Sequence, residues 1–195
     1  MYRVFIDGQA GTTGLQIHER LIAHPEIELL EIDPEERKNS DAKREITNLA
    51  DVVILCLPDE ASVKAVEDNK HSKARFIDTS TAHRTNSNWV YGFPELAQDQ
   101  RQKIASARLV SNPGCYPTGF LSAIRPLVDE NLLDHNALLT INALSGYSGG
   151  GRKLIESYEA RSAMFPDRSW PARPYALQLK HKHVPEMQLF ASLEN

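Results

Sequence analysis

Cysteine and long apolar runs are scarce in this sequence, and each scarcity excludes a class of protein. The 195 residues include two cysteines, Cys56 and Cys115, which form no CxxC pair. We therefore expect no disulfide framework and a protein that works in the reducing cytoplasm. No apolar run approaches membrane-spanning length, and the N-terminus enters a strand-like run without a signal-peptide pattern. These features predict a protein without a membrane partner.

The sequence also lacks an excess of positive charge and any internal repetition. The formal net charge is −4, and the sequence has no basic patch of the kind that binds nucleic acid. It shows neither an internal repeat nor a low-complexity segment. The length and apolar content suffice for a packed core, so we expect a soluble globular protein.

One short stretch combines a cysteine with the turn and helix signals that an active site requires. The segment Ser111-Asn112-Pro113-Gly114-Cys115-Tyr116-Pro117-Thr118 follows a strand-like run and precedes apolar residues at helical spacing. Cys115 would lie at the positive end of that helix, where a thiolate nucleophile is stabilised. The alternative is a small buried hydrophobe, which explains neither the Pro-Gly elbow before the thiol nor the proline after it. The pattern favours a nucleophile.

This stretch resembles the active-site motif of the N-acetyl-gamma-glutamyl-phosphate reductases, the NADPH-dependent enzymes of arginine biosynthesis. It is closer to their short, proteobacterial-type subgroup, and it is more distantly similar to aspartate-semialdehyde dehydrogenase, whose cysteine motif lacks Gly-Cys-Tyr-Pro. The resemblance runs from the first strand to the last residue. It implies an oxidoreductase with an acyl-phosphate substrate, a thioester on Cys115, NADP as cofactor and a homo-oligomer.

A glycine turn after the first strand-like run is the candidate cofactor site. Its residues are Gly8, Gly11, Thr12, Thr13 and Gly14. Strand, glycine turn and helix form the context in which a pyrophosphate meets a helix N-terminus, although an ordinary tight turn has the same pattern. The resemblance places the cofactor here. Glu31 and Asp33 suit the ribose hydroxyl of NAD, and Arg37 and Lys38 suit the 2′-phosphate of NADP, so the residues leave the choice open; NADP comes from the resemblance.

Two further segments resemble parts of the family's active site. Arg84 follows a strand-end polar loop, and its guanidinium suits a phosphate or carboxylate, with a surface salt bridge as the alternative. The resemblance implies that Arg84 and Asn112 bind substrate. It also implies that Ser148 and Gly149, in a glycine-rich loop, lie beside the nicotinamide end of NADP.

The segment from Lys180 to Met187 supplies candidate acid–base groups. On an extended backbone His181 and His183 face the same side, and one would act as acid or base while its neighbour or Glu186 orients it. A zinc site is disfavoured because its closure needs Cys115, and coordination would quench the nucleophile, so we expect no metal. The spacing does not choose between the histidines; the resemblance assigns the catalytic role to His181.

The expected fold is α/β, with a Rossmann-like parallel sheet followed by an α+β substrate and dimerisation domain. We place the NADP-binding domain at residues 1–114 and the start of the catalytic domain at 115–195, where Ala137 to Leu144 alternates like a strand. Because the chain stops inside this second region, we expect it to lack the family's C-terminal part. The alternatives are a catalytically weak nucleotide-binding remnant or subunit, and an aspartate-semialdehyde dehydrogenase-like enzyme.

Overall fold

The computed structural model describes residues 1–9, 11–165, 172–178 and 180–194, without the side chain of Thr12. Six strands occupy the first three-fifths of this chain: β1 Tyr2–Asp7, β2 Ile27–Leu30, β3 Val52–Leu55, β4 Arg75–Asp78, β5 Val90–Tyr91 and β6 Leu109–Ser111. Seven α-helices alternate with and follow them: α1 Thr12–Leu21, α2 Ser40–Leu49, α3 Asp59–Asp68, α4 Gln100–Ser106, α5 Cys115–Asp129, α6 Arg152–Met164 and α7 Val184–Phe190. Two short 3-10 turns lie at Glu36–Lys38 and Tyr147–Gly150.

The six strands form one parallel sheet in the order β2-β1-β3-β4-β6-β5. The connection from β1 leads to β2 on one side of β1, and the connection from β2 leads back to β3 on the other side. Because such crossovers are right-handed, helices α1 and α2 lie on opposite faces of the sheet. The crevice at the carboxyl end of β1 is therefore a topological switch point, where α/β sheets bind ligands. The prediction of a Rossmann-like parallel sheet is confirmed.

Two apolar clusters hold the sheet and its helices together. The first is built around strands β1, β3 and β4 and contains Phe5, Ala50, Val53, Leu55, Ala74, Phe76 and Trp89. The second joins β5 and α5 to α7 and contains Tyr91, Phe93, Leu96, Leu121 and Ala191. Because the second cluster packs α7 against α5, it brings the histidine segment to the cysteine helix.

The strand predicted from Ala137 to Leu144 is wrong. Residues 138–146 contain neither a helix nor a strand, and Leu138 and Leu144 are exposed. An alternating pattern describes a half-buried strand only when a neighbouring strand pairs its backbone groups and a layer covers its apolar face. In the described part of the chain, no strand pairs with this segment and no layer covers its apolar side chains.

No helix of the described residues is both long and apolar enough to cross a membrane.

Candidate active site

The turn between β6 and α5 presents Cys115 as the first residue of the helix. Gly114, with an extended backbone, is the N-cap residue, and its carbonyl accepts hydrogen bonds from the Thr118 N–H (3.0 Å) and the Thr118 hydroxyl (2.9 Å). Pro117 lies in the first turn, where the missing N–H costs no helical bond. The Cys115 side chain is exposed. The sequence pattern therefore corresponds to an accessible thiol at the positive end of a 15-residue helix.

A buried carboxylate on α7 lies behind this turn. Glu186 is 1% exposed, and both of its oxygens accept hydrogen bonds. Its Oε1 accepts from Arg84 Nη1 at 2.7 Å, and its Oε2 accepts from the Tyr91 hydroxyl at 2.8 Å and from the Gly114 N–H at 3.1 Å. Burial, and then Glu186 itself, raises the pKa of Tyr91, so its hydroxyl keeps the proton that it donates. Three donors thus compensate the burial of one charge.

Arg84 directs most of its donors to protein groups. Besides the bond to Glu186, its Nε donates to the Asn112 carbonyl (2.9 Å) and its Nη2 donates to the Thr79 carbonyl (3.0 Å). A guanidinium has five N–H groups, so two remain for other partners. The side chain is buried and lines the cleft described below. Arg84 thus lines the cleft, as expected of a substrate-binding residue, but only two of its five N–H groups are left for a ligand.

The loop before Arg84 is fixed by a second buried carboxylate. Asp78, at the end of β4, is fully buried and accepts from the Ser62 hydroxyl (3.0 Å) and from both the backbone and the hydroxyl of Ser80. The His83 ring lies 2.6 Å from Asp78 and stacks on Trp89 with ring centroids 4.0 Å apart. This network sets the position from which Arg84 reaches the cysteine turn.

The two candidate histidines lie together in a turn before α7, with ring centroids 4.6 Å apart. The His183 backbone N–H donates to His181 Nδ1 at 3.2 Å, so the neutral His181 ring carries its proton on Nε2. Desolvation, followed by Lys182, lowers the pKa of His181. Desolvation, followed by Arg84, lowers the pKa of His183 to about 4, so this ring is neutral at pH 7. Its buried Nδ1 has no hydrogen-bond partner among the described residues.

A cleft of about 1010 Å³ gathers most of the predicted site residues. Its lining includes Cys115, His181, His183, Arg84, Asn112, Thr13 and Gly149. Gly8, Gly11, Gly14, Ser148 and Glu186 do not line it, although Ser148 belongs to the same glycine-rich turn as Gly149. The lining also supplies four cationic side chains, from Arg84, Lys153, Arg173 and Lys182, and contains no carboxylate among the described residues. The cleft therefore suits an anionic ligand.

The glycine turn after β1 is tight and allows no side chain at two of its glycines. Gly8 has a φ of 92°, and a Cβ there would lie 2.3 Å from the Cys56 carbonyl oxygen. A Cβ on Gly14 would lie 2.5 Å from the Gly8 carbonyl oxygen, so the turn and helix approach too closely for any side chain. The turn opens at the N-terminus of α1, at the switch point of the sheet. Thr13, which follows the turn, lines the cleft, so the glycine turn and the Cys115 thiol lie beside the same cleft.

Sequence reasoning missed several residues of this region. Tyr116 packs edge-on against His181 (5.4 Å between centroids) and His183 (5.7 Å), and its hydroxyl contacts that of Tyr175. Lys153 lies on a helix after the glycine loop, and Lys182 lies between the histidines. The only sequence signal that could have indicated these two lysines is that each lies next to a motif residue.

Comparisons with known proteins identify the family to which the sequence is similar. Residues 31–104 match the family model of the semialdehyde dehydrogenase NAD binding domain, and residues 115–194 match that of the semialdehyde dehydrogenase dimerisation domain. Among curated proteins, the N-acetyl-gamma-glutamyl-phosphate reductase of Trichormus variabilis is 49% identical over 193 residues, and that of Brucella ovis is 50% identical over 194. Each alignment covers 98% of this chain. The chain spans 60% and 62% of the length of these two relatives.

Solved structures of lower identity share the fold. Aspartate semialdehyde dehydrogenase II from Vibrio cholerae is 16% identical, with a TM-score of 0.66 over 99% of this chain and 67% of that one. The aspartate semialdehyde dehydrogenase from Francisella tularensis is 13% identical, with a TM-score of 0.59 over 97% and 59%. At these identities the likeness concerns the architecture alone.

Proposed function

Because this chain belongs to the semialdehyde dehydrogenase family and is a homologue of the N-acetyl-gamma-glutamyl-phosphate reductases, we propose that it takes part in the same reaction. In that reaction N-acetyl-γ-glutamyl phosphate is reduced to N-acetylglutamate semialdehyde, an intermediate of arginine biosynthesis. The observation that carries the proposal is the single cleft that holds the Cys115 thiol, both histidines and the end of a glycine turn suited to a dinucleotide.

The first step uses the position of Cys115. Its thiolate, at the N-terminus of α5, attacks the acyl carbon; a carbon–sulfur bond forms, the carbon–oxygen bond to phosphate breaks, and inorganic phosphate leaves. The substrate carries a carboxylate and a phosphate, which suits a cleft lined by cations without a carboxylate. Lys153 and Lys182 have exposed ammonium groups for this purpose, and Arg84 and Asn112 hold the substrate from the strand side.

The second step reduces the thioester. NADPH, when bound, supplies the hydride. The residues proposed to hold it are the glycine turn with Thr12 and Thr13, and Ser148 and Gly149 at the nicotinamide end. Collapse of the resulting thiohemiacetal breaks the carbon–sulfur bond and releases the aldehyde and the Cys115 thiolate. His181 gives a proton to the substrate oxygen as the hydride adds and takes it back as the carbon–sulfur bond breaks, because its ring lines the cleft and carries a proton on Nε2. His183 lines the cleft too, but a pKa of about 4 makes its ring a weak base.

The proposal extends to the organisation of the protein. We assign residues 1–114 to the NADP-binding domain and residues 115–195 to the catalytic and dimerisation domain. We infer a homo-oligomer, since the matched second domain is a dimerisation domain. Both cysteines are free, which suits the cytoplasm.

The test is a phosphate-dependent assay of NADP reduction with N-acetylglutamate semialdehyde, beside the same assay with aspartate semialdehyde. We expect turnover of the N-acetylated substrate only. Cys115→Ser should abolish turnover and leave NADP binding intact, and Cys56→Ser is the matched control, because Cys56 does not line the cleft. Preference for aspartate semialdehyde would contradict the assigned substrate. NADP binding without turnover in the parent chain would leave a nucleotide-binding subunit instead.

A further inference from the structure

We propose that Glu186 is a positioning residue for the nucleophile, which it fixes through the backbone of Gly114, and that it does not serve as the partner of a histidine ring. The inference rests on the proposed function, since it takes Cys115 as the nucleophile. Both carboxylate oxygens of Glu186 are engaged by Arg84, Tyr91 and Gly114. The histidine pair is organised separately, by the bond from the His183 backbone to His181.

Four groups close a ring around Pro113. The Asn112 carbonyl accepts from Arg84 Nε, Arg84 Nη1 donates to Glu186, and Glu186 accepts from the Gly114 N–H. The residues before and after Pro113 are thus tied to one ion pair. Because proline also fixes its own φ, little backbone freedom remains in the two residues before Cys115. We name Asn112, Arg84, Glu186 and Gly114 the Pro113 clamp.

The clamp is packed without spare volume. A Cβ on Gly114 would lie 2.7 Å from Arg84 Nη1 and from Glu186 Oε1, and 2.8 Å from His183 Cε1. Distances of this size are too short for a carbon atom and its neighbours, so these hydrogen-bonded side chains would have to move to admit a methyl group at position 114. The close approach of His183 also means that the helix carrying Glu186 brings the histidine turn to the cysteine turn. Glu186 therefore acts together with the second apolar cluster to hold the histidine turn beside the cysteine turn.

The test measures the reactivity of Cys115 without any substrate. The chain is treated with iodoacetamide at pH 7, and mass spectrometry follows alkylation of Cys115, with the half-buried Cys56 as internal reference. In Glu186→Gln an amide replaces the carboxylate, and its NH₂ group faces a donor whichever way it turns. We expect Cys115 to react about two- to fivefold more slowly, because a released turn moves the thiolate away from the helix N-terminus.

Two further variants separate positioning from general destabilisation. Asn69→Ala removes the hydrogen bond from the Asn69 side chain to the Ala65 carbonyl at the end of α3, so it lowers stability without changing the clamp or the Asp78 network, and it should leave the alkylation rate of Cys115 unchanged. Gly114→Ala keeps every charge but inserts a methyl group into the clamp, and it should slow alkylation as Glu186→Gln does.

The outcomes distinguish this inference from the proposed function. A wild-type or faster alkylation rate in either folded clamp variant overturns the role of Glu186, and so does an equal loss in Asn69→Ala. If the parent chain fails to reduce NADP with N-acetylglutamate semialdehyde, the proposed function fails, but the alkylation rates still decide whether Glu186 positions Cys115.

Discussion

The buried ring of His183 should make the stability of this chain fall in mild acid. The side chain is 6% exposed, and desolvation, Arg84, His181 and Lys182 lower its pKa from 6.5 to about 4. Between these two values the unfolded chain binds a proton that the folded chain does not. The contribution of the neutral His183 ring to the free energy of unfolding is therefore fully present above about pH 6.5, and it is lost as the pH falls towards 4.

The size of the effect follows from the same pKa values. Each tenfold change in the proton equilibrium corresponds to about 1.4 kcal/mol, so a fall from 6.5 to about 4 sets an upper bound on the order of 3 kcal/mol. Solvent at the edge of the cleft screens the neighbouring charges, and we expect about 2 kcal/mol in practice. This is a large fraction of the free energy of unfolding of a typical domain.

Urea unfolding at pH 7.5 and at pH 4.5 measures the effect in the wild type and in His183→Gln, which cannot titrate. The variant should lose about 2 kcal/mol less than the wild type over this interval. Asp51, Asp59 and Asp99 have lowered pKa values and also lose stability in acid, but their contribution cancels in the comparison. His181→Gln should remove a smaller part of the pH dependence. Parallel losses in His183→Gln and the wild type would refute the assignment of a neutral buried ring.

Three further predictions concern the turn, the cation and the second region. Gly8→Ala places a Cβ in a turn with a φ of 92°, so it should lower the free energy of unfolding by about 1–3 kcal/mol and weaken NADP binding. Gly119→Ala is the control and should have neither effect, because a Cβ there meets nothing within 4 Å. Arg84→Lys should raise the KM for phosphate in the reverse assay, because one ammonium nitrogen cannot span the acceptors that the guanidinium reaches through three nitrogens. Arg101→Lys, at an exposed ion pair, is the control, and an unchanged KM in Arg84→Lys would remove Arg84 from the substrate site. Hydrogen exchange should be fast across 138–146 and slow in β1 and β3, and uniform protection would contradict the absence of regular structure there.

The parallel sheet was predictable because its signals are local. A near-continuous apolar run such as Val52–Leu55 indicates a strand covered on both faces, and the glycine turn after β1 marks the entry to a helix. The same reasoning failed at 137–144, where alternation indicates a strand only if something pairs with it. Pairing depends on residues far away in the chain, and a periodic pattern contains no information about them.

The residues of the candidate site also differ in whether their local sequence could indicate their role. Cys115 was indicated by its own neighbours, a Pro-Gly elbow before it and a helical pattern after it. The role of Glu186 was not, because its partners Arg84 and Tyr91 lie 102 and 95 residues away in sequence. Arg84 was expected to present an open fork to substrate, and no local pattern could show that three of its donors would be engaged by the protein.

The clamp gives a physical reason for the composition of the cysteine motif. Asn112 contributes its carbonyl to Arg84, so the backbone is constrained there more than the exposed side chain. Pro113 spans two anchored neighbours and needs no N–H of its own, and Gly114 is required because a methyl group would collide with Glu186. A thiol placed after such a turn has its backbone fixed before it meets a substrate. Reaction then requires little further ordering of the nucleophile, and this is how a protein lowers the entropic part of a barrier through groups that never touch the reacting atoms.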